Sequence, residues 1–419
     1  MQYSCFGQKM VQRSGIAELM DDLGRSMSGA GKMLMLGGGN PADIPEIQEI
    51  WRTEMRKLVG ERDLFDGMLC HYDTPQGNPR FLEAVAGLFR EVYGWPVGPD
   101  NVAVTNSSQT AYFMLLNTLA GDFADGSRKR ILLPLSPEYI GYADQGLAPG
   151  FFAAGRPSIE LRGDHEFKYH VDFDNLALGS DIGALCVSRP TNPTGNVLTD
   201  DEVRLLAQKA QAHDRYLFID NAYGAPFPNI IFSDAKPFWD RNTVVTLSLS
   251  KLGLPGTRTG IVIASEPIIA ALSSINAVVS LASGNIGQAL AMPLIEDRRI
   301  LSLSSDVIQP FYRRRLDAAL QWAGEYFDSD LPWRLHTCEG ALFLWLWCPG
   351  MPLSSRAFYE RLKKKGVLVV PGCFFFYGLD EEWSHRDECI RINYSQPEEV
   401  VRPALRLIGE EMRAAYLNR

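Results

Sequence analysis

Metal-ligand spacing is missing from this chain. Its six histidines are scattered with no H-x-x-x-H, and its seven cysteines, at 5, 70, 186, 338, 348, 373 and 389, form no C-x-x-C pair. Neither set offers a tetrahedral zinc site. An odd, dispersed group of cysteines also argues against a disulfide framework and for reduced thiols in a cytoplasmic setting. A basic surplus is missing too. Forty-one Lys and Arg stand against 50 Asp and Glu, a net charge of −9. Nucleic acid and anionic membrane are therefore not expected partners, because there is no excess cation to release counterions. The longest apolar runs, such as Ala341 to Cys348, fall far short of the roughly 20 residues a membrane helix needs. The opening MQYSCFGQKMVQRSG has no apolar core segment and does not read as a secretory signal. Internal repeats and low-complexity linkers are also lacking.

What is present is alternation. From Asn101 to Ser265, short apolar runs alternate with helical patterns. The runs are Asn101–Thr105, Arg130–Pro134, Gly183–Ser188, Tyr216–Asp220, Val244–Leu249 and Gly260–Ala264. Among the helical patterns, Thr199 is placed as an N-cap with Glu202 closing a capping box. Such alternation predicts an α/β fold whose mostly parallel sheet is covered by helices on both faces. After residue 296 the pattern changes to a long helix over 301–327, strands near Trp345 and Trp347, 366–370 and Cys389–Tyr394, and a closing helix Glu398–Leu417. The expected organisation is a large domain over 46–295 and a smaller α+β domain over 296–419. The N-terminal segment 1–45 is too short to fold alone and packs with the small domain.

In doubly wound sheets, ligands bind at the carboxyl ends of the strands. Polar clusters fall there. Asp220 closes an apolar strand, and a buried carboxylate needs a donor or cationic partner. Asn192 sits in the rigid turn Arg189-Pro-Thr-Asn-Pro-Thr-Gly195, and Tyr223 follows Asp220 by three residues. Lys251 lies on the connection between two core strands, with Ser248 and Ser250 before it and Arg258 seven residues after. Each has a plainer reading alone: a turn, an N-cap, a loop lysine. Together, hydroxyls, glycine-flanked amides and a guanidinium suit a phosphate dianion. An amine beside them suits Schiff-base formation with an aldehyde. An aspartate suits a protonated pyridine nitrogen, and an Asn/Tyr pair suits a phenolic oxygen. That combination describes a pocket for pyridoxal 5'-phosphate.

The ordered segments SRPTNPTG, IDNAY and SLSKLGLPGTRTG resemble those of the fold-type I pyridoxal-phosphate aminotransferases over nearly the whole chain. The resemblance implies further roles. Arg391, in Cys389-Ile-Arg-Ile-Asn-Tyr394, matches the arginine that grips the substrate α-carboxylate. Ser107, Ser108 and Gln109 match a helix start that holds the phosphate, although the family more often has glycine where Ser107 stands. Tyr139, in Ser136-Pro-Glu-Tyr-Ile-Gly-Tyr142, matches the aromatic residue stacked on the cofactor ring. Tyr72 matches a tyrosine that reaches the phosphate of a neighbouring subunit, which implies a homodimer with shared sites. Gly38 or Gly39 passes the substrate carboxylate, where a Cβ would obstruct close approach. Ile16 lines the side-chain pocket, with Arg13 close by. The expected reaction moves an amino group between a small aliphatic amino acid, valine or alanine, and a 2-oxo acid, pyruvate or 2-oxoisovalerate. The alternatives are β-elimination from a sulfur amino acid on the same fold, a different side-chain specificity, and an aminotransferase-like sensor domain. The sensor normally carries a basic DNA-binding head, for which the acidic total gives no support.

Overall fold

Ile182–Ser188 is buried at every position, and so are Val102–Thr105, Thr243–Ser248 and Gly260–Ile263. Unbroken burial is what a strand between two helical layers requires, and it explains why these runs lack the apolar–polar alternation of a half-exposed sheet. The structure, a computed structural model, describes residues 2–12, 15, 18, 21, 24 and 33–417.

Among the described residues the larger sheet has eight strands. It runs in the order Val102–Thr105, Gly260–Ile263, Thr243–Ser248, Tyr216–Asp220, Ile182–Ser188, Arg128–Leu133 and Gly121–Asp122, with Phe152–Ala154 also pairing with Arg128–Leu133. The strands Thr243–Ser248, Tyr216–Asp220, Ile182–Ser188 and Arg128–Leu133 are mutually parallel, whereas Gly260–Ile263 is antiparallel to both neighbours. The fold is the mixed α/β arrangement that the resemblance implies.

Register then gathers the polar clusters. Ser188 pairs with Asp220, Asp220 with Thr246, Ser248 with Gly260 and Gly260 with Thr105. The carboxyl ends of four strands therefore stand in one row. The helix Asp200–Ala212 begins as expected, with the Thr199 hydroxyl accepting from the Glu202 amide at 3.1 Å and the Glu202 carboxylate accepting from the Thr199 amide at 2.8 Å.

Six strands form a second sheet, again among the described residues: Val370–Pro371, Cys389–Asn393, Phe343–Trp347, Arg334–His336, Glu166–His170 and Ser158–Arg162. The last two come from the middle of the chain. Phe167 and Tyr169 are fully buried there, and Lys168 between them is buried with a short ion pair to Glu339. Leu34–Met35 pairs in parallel with Val367–Leu368. The single helix expected over 301–327 is divided into the helix Arg299–Ser302, a π-turn Leu303–Ile308 and the helix Gln309–Tyr326. Pro310, at the start of the last piece, has no amide hydrogen to continue an unbroken ladder. The closing helix spans Glu398–Leu417 as expected. No helix among the described residues is long and apolar enough to cross a membrane.

Candidate active site

The row of strand ends opens into a cavity of about 500 Å³. Lys251 enters it from the 3-10 turn Leu249–Leu252, which Ser248 caps by accepting from the Ser250 amide at 3.1 Å. Gly253 ends the turn at φ +86, and a Cβ there would press on Ile47 at 3.1 Å. The Lys251 Nζ donates to the Gly39 carbonyl at 2.5 Å and lies 5.2 Å from the Tyr223 ring centroid. Burial, then the Arg391 charge, brings this amine down to about 8, against the opposing pull of Asp220. Both effects disfavour an ammonium.

Asp220 is buried at the end of its strand. Its carboxylate accepts a short hydrogen bond from the Tyr142 hydroxyl and another from the Ala222 amide at 3.0 Å. Burial holds the carboxyl above its ordinary range while those two donors pull it back. The Tyr142 ring packs tilted against Tyr112 with centroids 4.5 Å apart, and the Tyr112 hydroxyl accepts from Thr246 at 3.2 Å. Sequence reading missed Tyr142. The requirement for a donor to Asp220 was visible, but not which residue would supply it.

The phosphate cradle can be tested against the chain itself. Ser107 precedes the helix Ser108–Leu119 and makes no side-chain capping bond. The Arg258 guanidinium has one hydrogen bond, to the Pro255 carbonyl of its own turn at 3.3 Å, and no acidic partner among the described residues. Ser108, Gln109, Ser248 and Ser250 line the same cavity as Ser107 and Arg258. A helix start, hydroxyls and an uncompensated guanidinium form a donor-rich concavity that fits a phosphate group. Ser107 adopts φ +90, a conformation that favours glycine. The Ser107–Ser108 backbone passes so close to Gly260 that a Cβ on Gly260 would collide with it.

Arg391 is buried on the second sheet, opposite Trp345 and Val370 in register. It donates to the Asn192 side-chain oxygen at 2.8 Å and to the Gly37 carbonyl at 2.7 Å. The Phe343 and Phe375 rings lie 4.3 and 5.3 Å from the guanidinium carbon, and its Nε has no partner. Burial brings this guanidinium down to about 10. Asn393, two residues on, donates to the Gly38 carbonyl at 2.7 Å. Three successive glycine carbonyls are therefore held by Arg391, Asn393 and Lys251. A Cβ at Gly38 or Gly39 would meet no atom of the chain within 4 Å, so the steric need for glycine expected there does not come from the chain's own packing.

Tyr139 and Tyr223 both line the cavity. The Tyr139 loop is fastened from three sides. Its amide donates to Glu138 at 2.8 Å, its carbonyl accepts from the Tyr377 hydroxyl at 2.9 Å, and Gln109 donates to the Gly141 carbonyl at 2.7 Å. Glu138, which burial raises to about 7, also accepts from the Ser188 amide at 2.9 Å. Glu138, Tyr377, Asn393 and Gly37 were not anticipated from sequence. Tyr72 is 85% exposed and away from the cavity, and Ile16, like Arg13, lies outside the described residues.

Three comparisons bear on this geometry. The profile of the family "Aminotransferase class I and II" matches residues 33–408. The valine–pyruvate aminotransferase of Escherichia coli (strain K12) is 47% identical over 416 residues, covering 99% of each chain. The crystal structure of valine–pyruvate aminotransferase from Salmonella typhimurium LT2 superposes with a TM-score of 0.89 at 44% identity, covering 96% of this chain and 100% of that one. A solved protein of Psychrobacter arcticum 273-4 superposes with a TM-score of 0.97 at 44% identity, with both chains fully covered.

Proposed function

The chain belongs to the class I and II aminotransferases, pyridoxal-phosphate enzymes, and on that premise we propose that it transfers an amino group between a small aliphatic amino acid and a 2-oxo acid. Valine and alanine are the donors in this reading, with 2-oxoisovalerate and pyruvate as the corresponding acids. The observation that carries it is 47% identity over 99% of both chains to a valine–pyruvate aminotransferase, joined to a cavity lined by two guanidiniums, those of Arg391 and Arg258.

When bound, pyridoxal phosphate supplies an electron sink for negative charge developing on the substrate α-carbon. The chain's residues do the rest. Arg258, Ser108, Ser250 and the start of helix Ser108–Leu119 hold the phosphate. Lys251 would bind the cofactor aldehyde through its amine and would serve as the neutral base for the substrate α-proton. Its lowered pKa, about 8, suits both tasks. Asp220, steadied by Tyr142, would keep the pyridine nitrogen protonated. Because the Asn192 oxygen is committed to Arg391, its amide hydrogens are left to donate to the phenolic oxygen beside Tyr223. Arg391 would take the substrate α-carboxylate, and Tyr139 would pack against the cofactor ring.

The finer organisation belongs to the same reading. Residues 46–295 form the cofactor-holding part, except for the strands Ser158–Arg162 and Glu166–His170, which join the sheet of the part that carries Arg391, formed by 296–419 with segment 1–45. The active unit is a homodimer in the cytoplasm. Tyr72 at 85% exposure, Val278 at 88% and Leu281 at 64% support a second copy. The bond from Asn285 to the His71 carbonyl at 3.1 Å brings these segments to one face. On that face Tyr72 reaches the neighbouring subunit's phosphate.

The test is a comparison of kcat/KM for valine, alanine, aspartate and glutamate with pyruvate or 2-oxoisovalerate as acceptor. Valine and alanine should lead. Aspartate or glutamate exceeding both would overturn the proposed specificity.

A further inference from the structure

A second cavity, of about 430 Å³, lies beside the catalytic one and shares Asn40 and Lys251 with it as walls. Its other walls come from the start of helix Pro45–Gly60, the helix that begins at Gln309, and the turn Ser395–Pro397. None of its remaining side chains enters the reaction described above.

Its polar groups are mostly donors without acceptors. Ser395 is 1% exposed, and its hydroxyl has no hydrogen-bond partner. Tyr312 is fully buried, and its hydroxyl accepts from the Ala42 amide at 2.9 Å, which leaves its own proton free to donate. Arg315 is half-buried, lies 5.3 Å from the Phe311 ring centroid, and has no ion pair among the described residues. The one acidic side chain in the lining, Asp43, is exposed and accepts from Gln48 at 2.8 Å. A buried hydroxyl without a partner costs stability unless a ligand or water completes it. Two such hydroxyl protons and an uncompensated guanidinium in one cavity call for an anion.

The apolar part of the lining limits which anion. Ile44, Ile47, Ile308 and Pro255 surround the donors. That surface matches a short hydrocarbon tail rather than the fully solvated oxygens of inorganic phosphate.

We propose that this cavity is a second carboxylate-binding site, which holds a small aliphatic acid next to the catalytic cavity on its way in or out. Arg315, Ser395 and Tyr312 bind the carboxylate, and the isoleucines take the tail. The site stands on its own donors. It does not depend on which amino donor the enzyme prefers.

The experiment isolates it with the holoenzyme of Arg391→Ala, which lacks the catalytic carboxylate grip. The probe is isobutyrate, which has no amino or oxo group and does not react. Saturation-transfer NMR should show its methyl signals bound to Arg391→Ala. Adding Arg315→Ala should weaken that binding by about tenfold or more, the loss expected for one charge-assisted contact. Adding Ser395→Ala instead serves as an independent variant and should weaken it by a smaller factor. Arg315→Ala alone should retain cofactor and turnover. No methyl signal in Arg391→Ala would overturn the proposal. So would an affinity unchanged by both Arg315→Ala and Ser395→Ala. Inorganic phosphate that binds the Arg391→Ala enzyme more tightly than isobutyrate would overturn the carboxylate assignment.

Discussion

Arg391 donates to the side-chain oxygen of Asn192 at 2.8 Å, across 199 residues of chain. One bond thus joins the group proposed to grip the substrate carboxylate to the group proposed to face the cofactor's phenolic oxygen. The Gly37 carbonyl holds the other arm of the same guanidinium. A substrate carboxylate therefore meets a fork already fixed in orientation, and little side-chain freedom remains to be lost on binding.

Arg391→Ala should lower kcat/KM for every amino donor by a similar factor. Two charge-assisted hydrogen bonds of about 1.5–3 kcal/mol each imply roughly two to four orders of magnitude. Arg391→Lys should recover little, because an ammonium cannot reproduce the planar fork. Steady-state kinetics with valine, alanine and 2-aminobutyrate would check this. A loss confined to one donor would show that Arg391 reads the side chain instead.

Lys251 gives a pH signature. With its amine near 8 against 10.5 for an ordinary lysine, about half is neutral at pH 8, where a solvent-exposed lysine is almost wholly charged. Capture of pyridoxal phosphate by the cofactor-free protein, trapped with borohydride and mapped by peptide, should rise through pH 8 and level off above it. The sign for stability follows. Between 8 and 10.5 the unfolded chain binds the proton and the folded one does not, so this residue's contribution to stability increases over that window. Label on another lysine, or a rise centred near 10, would refute the assignment.

Asp220 and Tyr142 should separate by size of effect. Asp220→Asn should keep the cofactor yet slow turnover by orders of magnitude, because the ring nitrogen loses its proton. Tyr142→Phe removes one donor that favours the ionised carboxylate. It should raise the Asp220 pKa further and move the acid limb of the kcat profile to higher pH, with a smaller fall at the optimum. A Tyr142→Phe profile superimposable on wild type would remove Tyr142 from this positioning role.

The exposed apolar face predicts assembly. The wild-type protein should sediment as a dimer, and Val278→Asp should shift it toward monomer with loss of activity, since a charge would be placed in a buried contact. A fully active monomer at assay concentration would exclude sharing of sites through Tyr72.

The strands of the larger sheet were legible because burial on both faces leaves continuous apolar runs, and the Thr199–Glu202 box because capping is local chemistry. Lys251, Asp220, Asn192 and Arg258 stood out as one cluster because polar residues at strand ends carry their own pattern, whereas Arg391, inside the strand Cys389–Asn393, was pointed to only by the family resemblance. The supporting residues were not. Tyr142, Glu138 and Tyr377 act as partners of buried groups, and partner choice is settled in space rather than along the chain. Ser107 shows the same limit. Glycine is the usual residue at φ +90, yet the structure holds serine there, and sequence alone raised the mismatch without resolving it. The hairpin 158–170 was missed because one of its strands, Glu166–His170, completes a sheet whose other members lie far along the chain.

That hairpin also sets an order of events during synthesis. Phe167 and Tyr169 emerge from the ribosome long before Leu335 and His336, the residues that pair with their strand, and Lys168 waits for Glu339, 171 residues later. Until then a nascent chain holds two aromatic side chains on an unclosed edge. Entropy of closure grows only slowly with so long a loop, but the rate of forming such distant contacts falls. The sheet that carries Arg391 is thus among the last parts of the molecule to close, and an unfinished chain exposes a strand edge suited to capture by a chaperone or by another unfinished chain.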